Sequence, residues 1–306
     1  METDIKKTKC GFVSIIGLTN AGKSTFLNAA INEKIAITSK KQQTTRKNIK
    51  GIYNDIDSQI VFIDTPGIHK NKTELDKYMQ KSILSSLVDV DIVITIVDIC
   101  TYNVDDYTTL NKILYKCTAN KVLLINKFDV YDGDIDSAKN EILEKFDSHI
   151  SFDIIDFISA LKKKNIDKCL LEIKKILPVG DRYYSEDYLT DEPIKQIVAD
   201  IIRQQCLYKL DKEVPHGVEV IVDSMKTSKA KCINIMSTII CEKDTHKGII
   251  IGKSGLMLKN IGTGARISIE NFLNKKVCLK INVVVKNNWR NEKTLLANYG
   301  YNINSI

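Results

Sequence analysis

The sequence predicts an α/β domain, a mostly parallel sheet with helices on both faces, followed by a smaller α+β domain. Three observations carry that prediction. Short apolar runs alternate with helical stretches as far as about Leu177, the pattern of a parallel sheet wound on both sides. A glycine-rich turn, Gly17-Leu18-Thr19-Asn20-Ala21-Gly22-Lys23-Ser24, joins the first strand to the first helix. The charge then divides unevenly: from Lys226 onward there are 14 basic and 4 acidic residues, a net +10, against −3 before it.

Length and composition agree. The 306 residues are two domains' worth, long enough for a full core in each. A charged fraction of 27% beside 43% hydrophobic residues excludes a disordered chain. No apolar stretch reaches the roughly 18 residues of a membrane span, and residues 1–7 lack a signal peptide's apolar core, so a cytosolic protein is expected. Eight cysteines (Cys10, Cys100, Cys117, Cys169, Cys206, Cys232, Cys241, Cys278) are scattered without C-x-x-C or histidine spacing. They read as small buried apolar residues in a reducing compartment rather than as metal ligands.

In the first domain, Phe12-Val13-Ser14-Ile15-Ile16 reads as a buried strand and Ser24 to Ala30 as the start of a helix. Between them, Gly17 and Gly22 let backbone N–H groups wrap an anion at a helix N-terminus. Lys23 is placed to reach β- and γ-phosphates, and the Ser24 hydroxyl to ligate Mg²⁺. An ordinary strand-turn-helix corner with a solvated lysine is the plainer alternative, but strand and helix flank the glycines as a phosphate loop requires.

The next apolar strand, Ile60 to Ile63, ends at Asp64-Thr65-Pro66-Gly67. Asp64 is the natural second group for the metal, and the Gly67 N–H can meet a γ-phosphate. Pro66-Gly67 alone would also make a plain turn. Ile92 to Val97, the most apolar strand, belongs at the sheet centre. Strand Val122 to Ile125 ends at Asn126-Lys127-Phe128-Asp129. The Asp129 carboxylate can accept from both N1–H and the 2-amino group of guanine, and adenine has no matching donor pair. The run Ile154 to Ile158 ends at Ser159-Ala160, whose backbone can meet the base from its other side.

Helical periodicity covers 136–147 and 165–177, and Pro178-Val179-Gly180 ends the domain. The boundaries are therefore 9–178 for the first domain, 179–191 for a polar, tyrosine-bearing linker, and 192–306 for the second domain. There a helix (192–210), two strands (217–223 and 232–240), a helix pair and a last strand (277–285) are expected. Between the paired helices lies Gly252-Lys253-Ser254-Gly255. This G-x-x-G turn leaves no side chain at its ends to hold off a sugar-phosphate backbone, as in the clamp of a type II KH domain. The net +10 region implies a polyanionic partner, nucleic acid or an anionic membrane surface. Lys226, Lys229, Lys231, Lys275 and Lys276 read as a solvated basic face, and Trp289 and Tyr299 as packing anchors.

Residues 17–25 (GLTNAGKST), 43–47 (QTTRK), 64–67 (DTPG), 126–129 (NKFD) and 158–160 (ISA) resemble the five G motifs of the bacterial Era family. That family sits in the wider group that includes the TrmE and Der GTPases. The similarity runs from about Lys9 to Tyr301 and includes the G-x-x-G stretch IIIGKSGLMLKNIGTGARISIENFL. The resemblance implies GTP or GDP held by Gly17, Asn20, Ala21, Gly22, Lys23, Ser24 and Thr25, by the segment Asp64, Thr65, Pro66 and Gly67, and by Asn126, Lys127, Asp129, Ser159 and Ala160. It implies Mg²⁺ on Ser24, Thr45 and Asp64, and a hydrolytic role for Lys23, Thr45 and Gly67. It further implies an RNA clamp of Gly252, Lys253, Ser254 and Gly255, with Lys259 and Arg266 on phosphates. The expected partner is single-stranded 16S rRNA near its 3′ end, in a checkpoint of small (30S) ribosomal subunit assembly. A monomer is expected, and peripheral contact with an anionic membrane.

Three departures matter. Thr19 stands where the family has proline, loosening the residue before Asn20, and Ala21 replaces the commoner valine. Ile68 occupies the position where many GTPases carry a water-orienting glutamine, so slow intrinsic hydrolysis is expected. Asn20 matches the asparagine that seats K⁺ in potassium-activated relatives, making K⁺ a candidate cofactor. His69 reads as an exposed loop histidine without a catalytic role. Two other readings stay open: an RNA-binding scaffold with a structural nucleotide site, and a GTPase serving RNA modification.

Overall fold

The computed structural model describes residues 8–69, 72–103, 105, 107–228 and 231–302; Lys229 of the expected basic face lies outside them. The first domain runs β1 (Lys9–Gly17), α1 (Lys23–Ala30), β2 (Ile49–Asn54), β3 (Ser58–Asp64), α2 (Glu74–Ser85), β4 (Ile92–Asp98), α3 (Thr108–Lys116), β5 (Asn120–Asn126), α4 (Ile135–Glu144), β6 (Ile154–Ile158) and α5 (Ile166–Ile176). The strand order is β2-β3-β1-β4-β5-β6. Every pairing is parallel except β2 with β3, which is antiparallel at the sheet edge.

Both faces of this sheet are covered, so central strands are apolar throughout. All seven residues of β4 are buried. On one face Val13, Ile15 and Phe62 pack with Phe26 and Leu27 of α1 and Cys169 and Ile173 of α5. On the other, Ile16, Val93, Val97 and Leu123 pack with Leu110 of α3 and Ile142 of α4. The loops that carry the functional residues leave the C-terminal ends of β1, β3, β5 and β6, where ligands bind in open α/β sheets. Helix α4 stops at Glu144, short of the expected 147, because the Phe146 ring turns in against Tyr107 and Phe152.

The second domain contains α6 (Ile194–Lys209), β7 (Glu219–Thr227), β8 (Ile233–Cys241), α7 (Asp244–Ile251), α8 (Leu256–Leu273), β9 (Val277–Val285) and α9 (Lys293–Asn298). β7 pairs antiparallel with β8, and β8 parallel with β9. A parallel return needs a long crossover, and α7 and α8 supply it. Val198, Ile202 and Cys206 of α6 pack with Ile261, Ala265 and Ile269 of α8 on one face of the sheet. Trp289 is fully buried and donates Nε1–H to the Gly217 carbonyl at 2.9 Å.

The domains meet along two seams. Helix α2 places Leu75, Tyr78 and Met79 against Ile240, Trp289, Leu296 and Tyr301. Residues 38–47, between α1 and β2, lie along α6 and the start of β7. The cysteines depart from expectation. Cys10, Cys169, Cys206 and Cys241 are buried, whereas Cys100 and Cys278 are exposed. Cys100 sits in the turn after β4, and Cys278 points outward by the alternation of β9. No described helix is long and apolar enough to cross a membrane.

Candidate functional site: a nucleotide cavity and a backbone clamp

A cavity of about 670 Å³ opens over the C-terminal strand ends of the first domain. Its floor is the turn between β1 and α1. Gly22 sits at φ 102°, and a Cβ there would lie 2.2 Å from Asn126 Nδ2, so the turn closes only around glycine. Lys23 is buried, and its Nζ donates to the Gly17 and Leu18 carbonyls at 3.1 and 2.8 Å. Burial pulls its pKa down to about 8 although Asp64 opposes this. An anion in the turn would restore the charge, as a phosphate does.

The metal set is already assembled. Ser24 Oγ donates to Asp64 Oδ2 at 2.6 Å, Thr45 Oγ1 lies 2.8 Å from Ser24 Oγ, and Thr45 Oγ1 donates to Asp64 Oδ2 at 3.4 Å. Asp64 Oδ1 is buried without a partner, and burial lifts the carboxyl's pKa to about 6. Two hydroxyls and an under-satisfied buried carboxylate form an oxygen donor set suited to a hard divalent cation. The residues therefore fit Mg²⁺.

The base end is held by Asn126. Its Nδ2 donates to the Ala21 carbonyl at 2.8 Å, and its Oδ1 accepts from the Lys127 and Ala160 amides at 2.9 and 3.0 Å. Asn126 is therefore a strut joining three loops. The Ala160 N–H is taken by this strut, and the Ser159-Ala160 segment expected at the base faces the cavity through Ser159 and the following Leu161. Asp129 lines the cavity, as does Lys127, whose Nζ pairs with Asp98.

Two expected contacts are displaced in the same way. Thr65 is buried with its hydroxyl on the Ile15 carbonyl at 2.7 Å, and neither Thr65 nor Pro66 reaches the cavity wall, although Gly67 does. Ala21 and Gly17 act from behind that wall. Thr25 and Asn20 line it, and Asn20 donates to the Lys40 carbonyl at 3.0 Å. The Ile68 side chain packs into the core beside Ile16 and Val97, while its N–H donates to the Gly17 carbonyl at 3.1 Å.

Sequence reasoning missed the ceiling. Thr38, Ser39, Lys40 and Lys41 line the cavity together with Tyr208 of α6, whose hydroxyl donates to the Thr38 carbonyl at 2.8 Å. Gln204 also donates to that carbonyl, and Arg203 to the Thr44 carbonyl at 2.5 Å. A run such as Thr38 to Lys41 carries no local signal. His69 was misplaced too. It is half-buried, and both its ring nitrogens are engaged, because the chain after Gly67 folds back onto the start of α2.

In the second domain, Gly252 ends α7 at φ 72°, and Ser254 and Gly255 follow at 51° and 77°. A Cβ on Gly252 would lie 2.6 Å from Met257 Cβ, so this corner is specific to glycine. Lys253, Ser254 and Lys259 are exposed around it. Arg266 lies eleven residues beyond Gly255, roughly 16 Å along α8, and pairs with Glu270 at 2.9 Å. It is thus removed from the turn itself.

A family model described as a 50S ribosome-binding GTPase matches residues 12–127, and a KH-domain model matches 213–290. GTPase Era of Thermoanaerobacter sp. (strain X514) is 43% identical over 296 residues, covering 96% of this chain and 97% of that one. The chain belongs to the Era family. Era of Caldanaerobacter subterraneus subsp. tengcongensis is 44% identical over 298 residues, covering 96% and 98%. Era solved in complex with MgGDPNP and nucleotides 1506–1542 of 16S ribosomal RNA is 32% identical, with a TM-score of 0.91 over 97% of this chain and 100% of that one. An Aquifex aeolicus Era bound to GDP.AlF4− gives a TM-score of 0.88 over the same shares. As a member of the Era family, the chain is a GTPase with a P-loop domain followed by a KH domain.

Proposed function

We propose that this GTPase is a switch in small-subunit (30S) ribosome assembly, binding single-stranded 16S rRNA near its 3′ end when GTP holds the two domains in their RNA-competent arrangement. One observation carries the reading. The backbone leading to Thr45 is held by Arg203, Gln204 and Tyr208, all on the first helix of the KH domain. A nucleotide that holds Thr45 beside Ser24 and Asp64 thereby holds the seat of α6, and its loss releases both. The relative bound to 16S ribosomal RNA supports this target over the large subunit that the family description names.

In hydrolysis the chain positions groups and neutralises charge. Lys23 exchanges its two carbonyl partners for phosphate oxygens. Ser24, Thr45 and Asp64 hold Mg²⁺, which supplies charge neutralisation at those oxygens when bound. Gly67 offers its N–H to the γ-phosphate, and Asp129 reads guanine. With Ile68 turned into the core, no side chain at that position orients water, so turnover is slow. Asn20, fixed to Lys40, is the proposed seat for K⁺; equal single-turnover rates in KCl and NaCl would remove K⁺ from the mechanism. The protein acts as a cytosolic monomer, its basic KH domain allowing peripheral contact with anionic membranes.

The test is titration of a fluorescent single-stranded RNA matching the 16S 3′ end, with GDP and then a non-hydrolysable GTP analogue. The switch predicts several-fold tighter, sequence-dependent binding with the analogue, lost in a Gly252→Asp/Gly255→Asp variant. A scaffold with a structural nucleotide site predicts no change. A GTPase serving RNA modification predicts nucleotide dependence without preference for the 16S 3′ sequence.

A further inference from the structure

His69 donates from Nδ1 to the Gly67 carbonyl at 2.8 Å and from Nε2 to Asp76 Oδ1 at 2.9 Å. Gln43, from the segment that carries Thr45, donates to the same Asp76 oxygen at 2.8 Å, with its Nε2 3.1 Å from His69 Nε2. Asp76 Oδ2 accepts from the Lys72 and Thr73 amides, both at 2.9 Å, closing a capping box at the start of α2. One carboxylate thus gathers four donors from three parts of the chain.

The Gly67–Ile68 peptide is clamped at both ends. Its N–H donates to Gly17 of the phosphate loop, and its carbonyl accepts from His69. Its orientation sets where the neighbouring Gly67 N–H points. A Cβ on Gly67 would lie 2.8 Å from Thr19, so the glycine is pressed against the phosphate loop and cannot shift freely.

We propose that His69 is a positioning residue for GTP hydrolysis: it fixes the Gly67–Ile68 peptide so that the Gly67 N–H is aimed at the γ-phosphate, and it latches that peptide to Asp76, the carboxylate that also holds Gln43 of the Thr45 segment. This rests on reading the cavity as the nucleotide site. His69 lies outside the cavity wall and acts only through Gly67 and Asp76.

The latch depends on protonation. A carbonyl and a carboxylate only accept, so both ring nitrogens must carry hydrogen for both bonds to form. The bond to Asp76 raises the pKa of His69 above its ordinary 6.5, against burial and the charge of Lys23. Among the described residues, Asp76 on α2 and Lys23 on α1 are the charged groups facing the ring, and Gln43 is neutral. As pH rises through the raised pKa, Nε2 loses its hydrogen and the bond to Asp76 is lost.

The test measures single-turnover GTP hydrolysis and GDP affinity of the full chain and of His69→Ala and His69→Gln, from about pH 5.5 to about pH 8.5, spanning the imidazole range. Both variants should lose roughly tenfold in rate, the scale of one hydrogen bond removed from a positioned group, with GDP affinity unchanged. The wild-type rate should carry a limb that declines with rising pH and is missing in both variants. Wild-type rates in the variants, the same limb in His69→Ala, or a parallel loss of GDP affinity would overturn the proposal. Lys23→Ala reads the nucleotide-site assignment separately, since it must lose GDP whatever His69 does.

Discussion

Arg46 and Glu219 form a buried ion pair across the domain boundary, Nη1 to Oε2 at 2.8 Å. Arg46 also donates to the Val218 and His216 carbonyls at 2.7 and 2.9 Å and lies over the Trp289 ring. Glu219 accepts from the Tyr301 hydroxyl as well. Burial opposes the charge on Glu219, but Arg46 and Arg203 hold its pKa below the usual carboxylate value. Arg46 follows Thr45 directly, so the residue that lies beside Ser24 and Asp64 is one peptide from the residue that binds the second domain.

Removing one partner of such a buried pair costs about 3–5 kcal/mol where no water can enter. Here that loss falls on the seam between the domains, where Arg46 also holds the Val218 and His216 carbonyls. Arg46→Ala is therefore expected to abolish the dependence of RNA affinity on GTP analogue while leaving GDP-state RNA affinity intact, as read by RNA titration. Retained dependence would show that the coupling runs through the Arg203, Gln204 and Tyr208 contacts or through α2 rather than through Arg46.

Asn126 makes three hydrogen bonds that tie the phosphate loop to both base-side loops. At about 1 kcal/mol each, Asn126→Ala is expected to lose roughly 3 kcal/mol of stability and to weaken GTP and ATP binding alike. Denaturant unfolding and nucleotide titration check this. A selective loss of GTP would mean that Asn126 touches the base itself.

Asp129 faces the cavity. Asp129→Asn replaces two acceptor sites with one acceptor and one donor, so GTP affinity should fall at least about tenfold, or about 1.4 kcal/mol. A nucleotide of xanthine, which presents a carbonyl in place of the 2-amino group, should bind better than GTP. Competition titration decides it, and an unchanged preference for guanine would place base reading elsewhere.

Burial, with Asp200 and Asp191 nearby, raises the Glu192 carboxyl from 4.5 to about 7. The folded protein then binds this proton more tightly than the unfolded chain does. Its contribution is complete below pH 4.5 and is lost as pH rises to about 7. Glu192→Gln should remove that decline, raising stability at pH 8 by about 1 kcal/mol after solvent screening. Thermal unfolding against pH, compared with wild type, checks it; parallel profiles would rule Glu192 out.

The phosphate loop and the candidate carboxylates Asp64 and Asp129 were legible because each lies in a short contiguous segment at a strand end, where local geometry makes the chemistry. Lys23 and Ser24 need only a strand, two glycines and a helix. The G-x-x-G turn was legible for the same reason. Edge strand β2 was not, because Ile49 to Asn54 carries a weak alternation and its place depends on pairing with β3.

Sequence by itself thus determined a P-loop GTPase domain followed by a KH domain and marked out candidate groups for nucleotide and RNA, since those signals are written within a few residues. Tertiary structure alone decided which neighbours hold them. Asn126 became a strut because Ala21 and Ala160, 105 and 34 residues away, converge on its amide. His69 left the solvent because Gln43 and Asp76 meet there from separate segments. Arg46 joined the domains because Glu219, 173 residues on, is buried against it. Hydrogen bonds closed across such separations depend on how the strands and helices pack, and for Asn126, Gln43 and Arg46 no short window of sequence contains both partners.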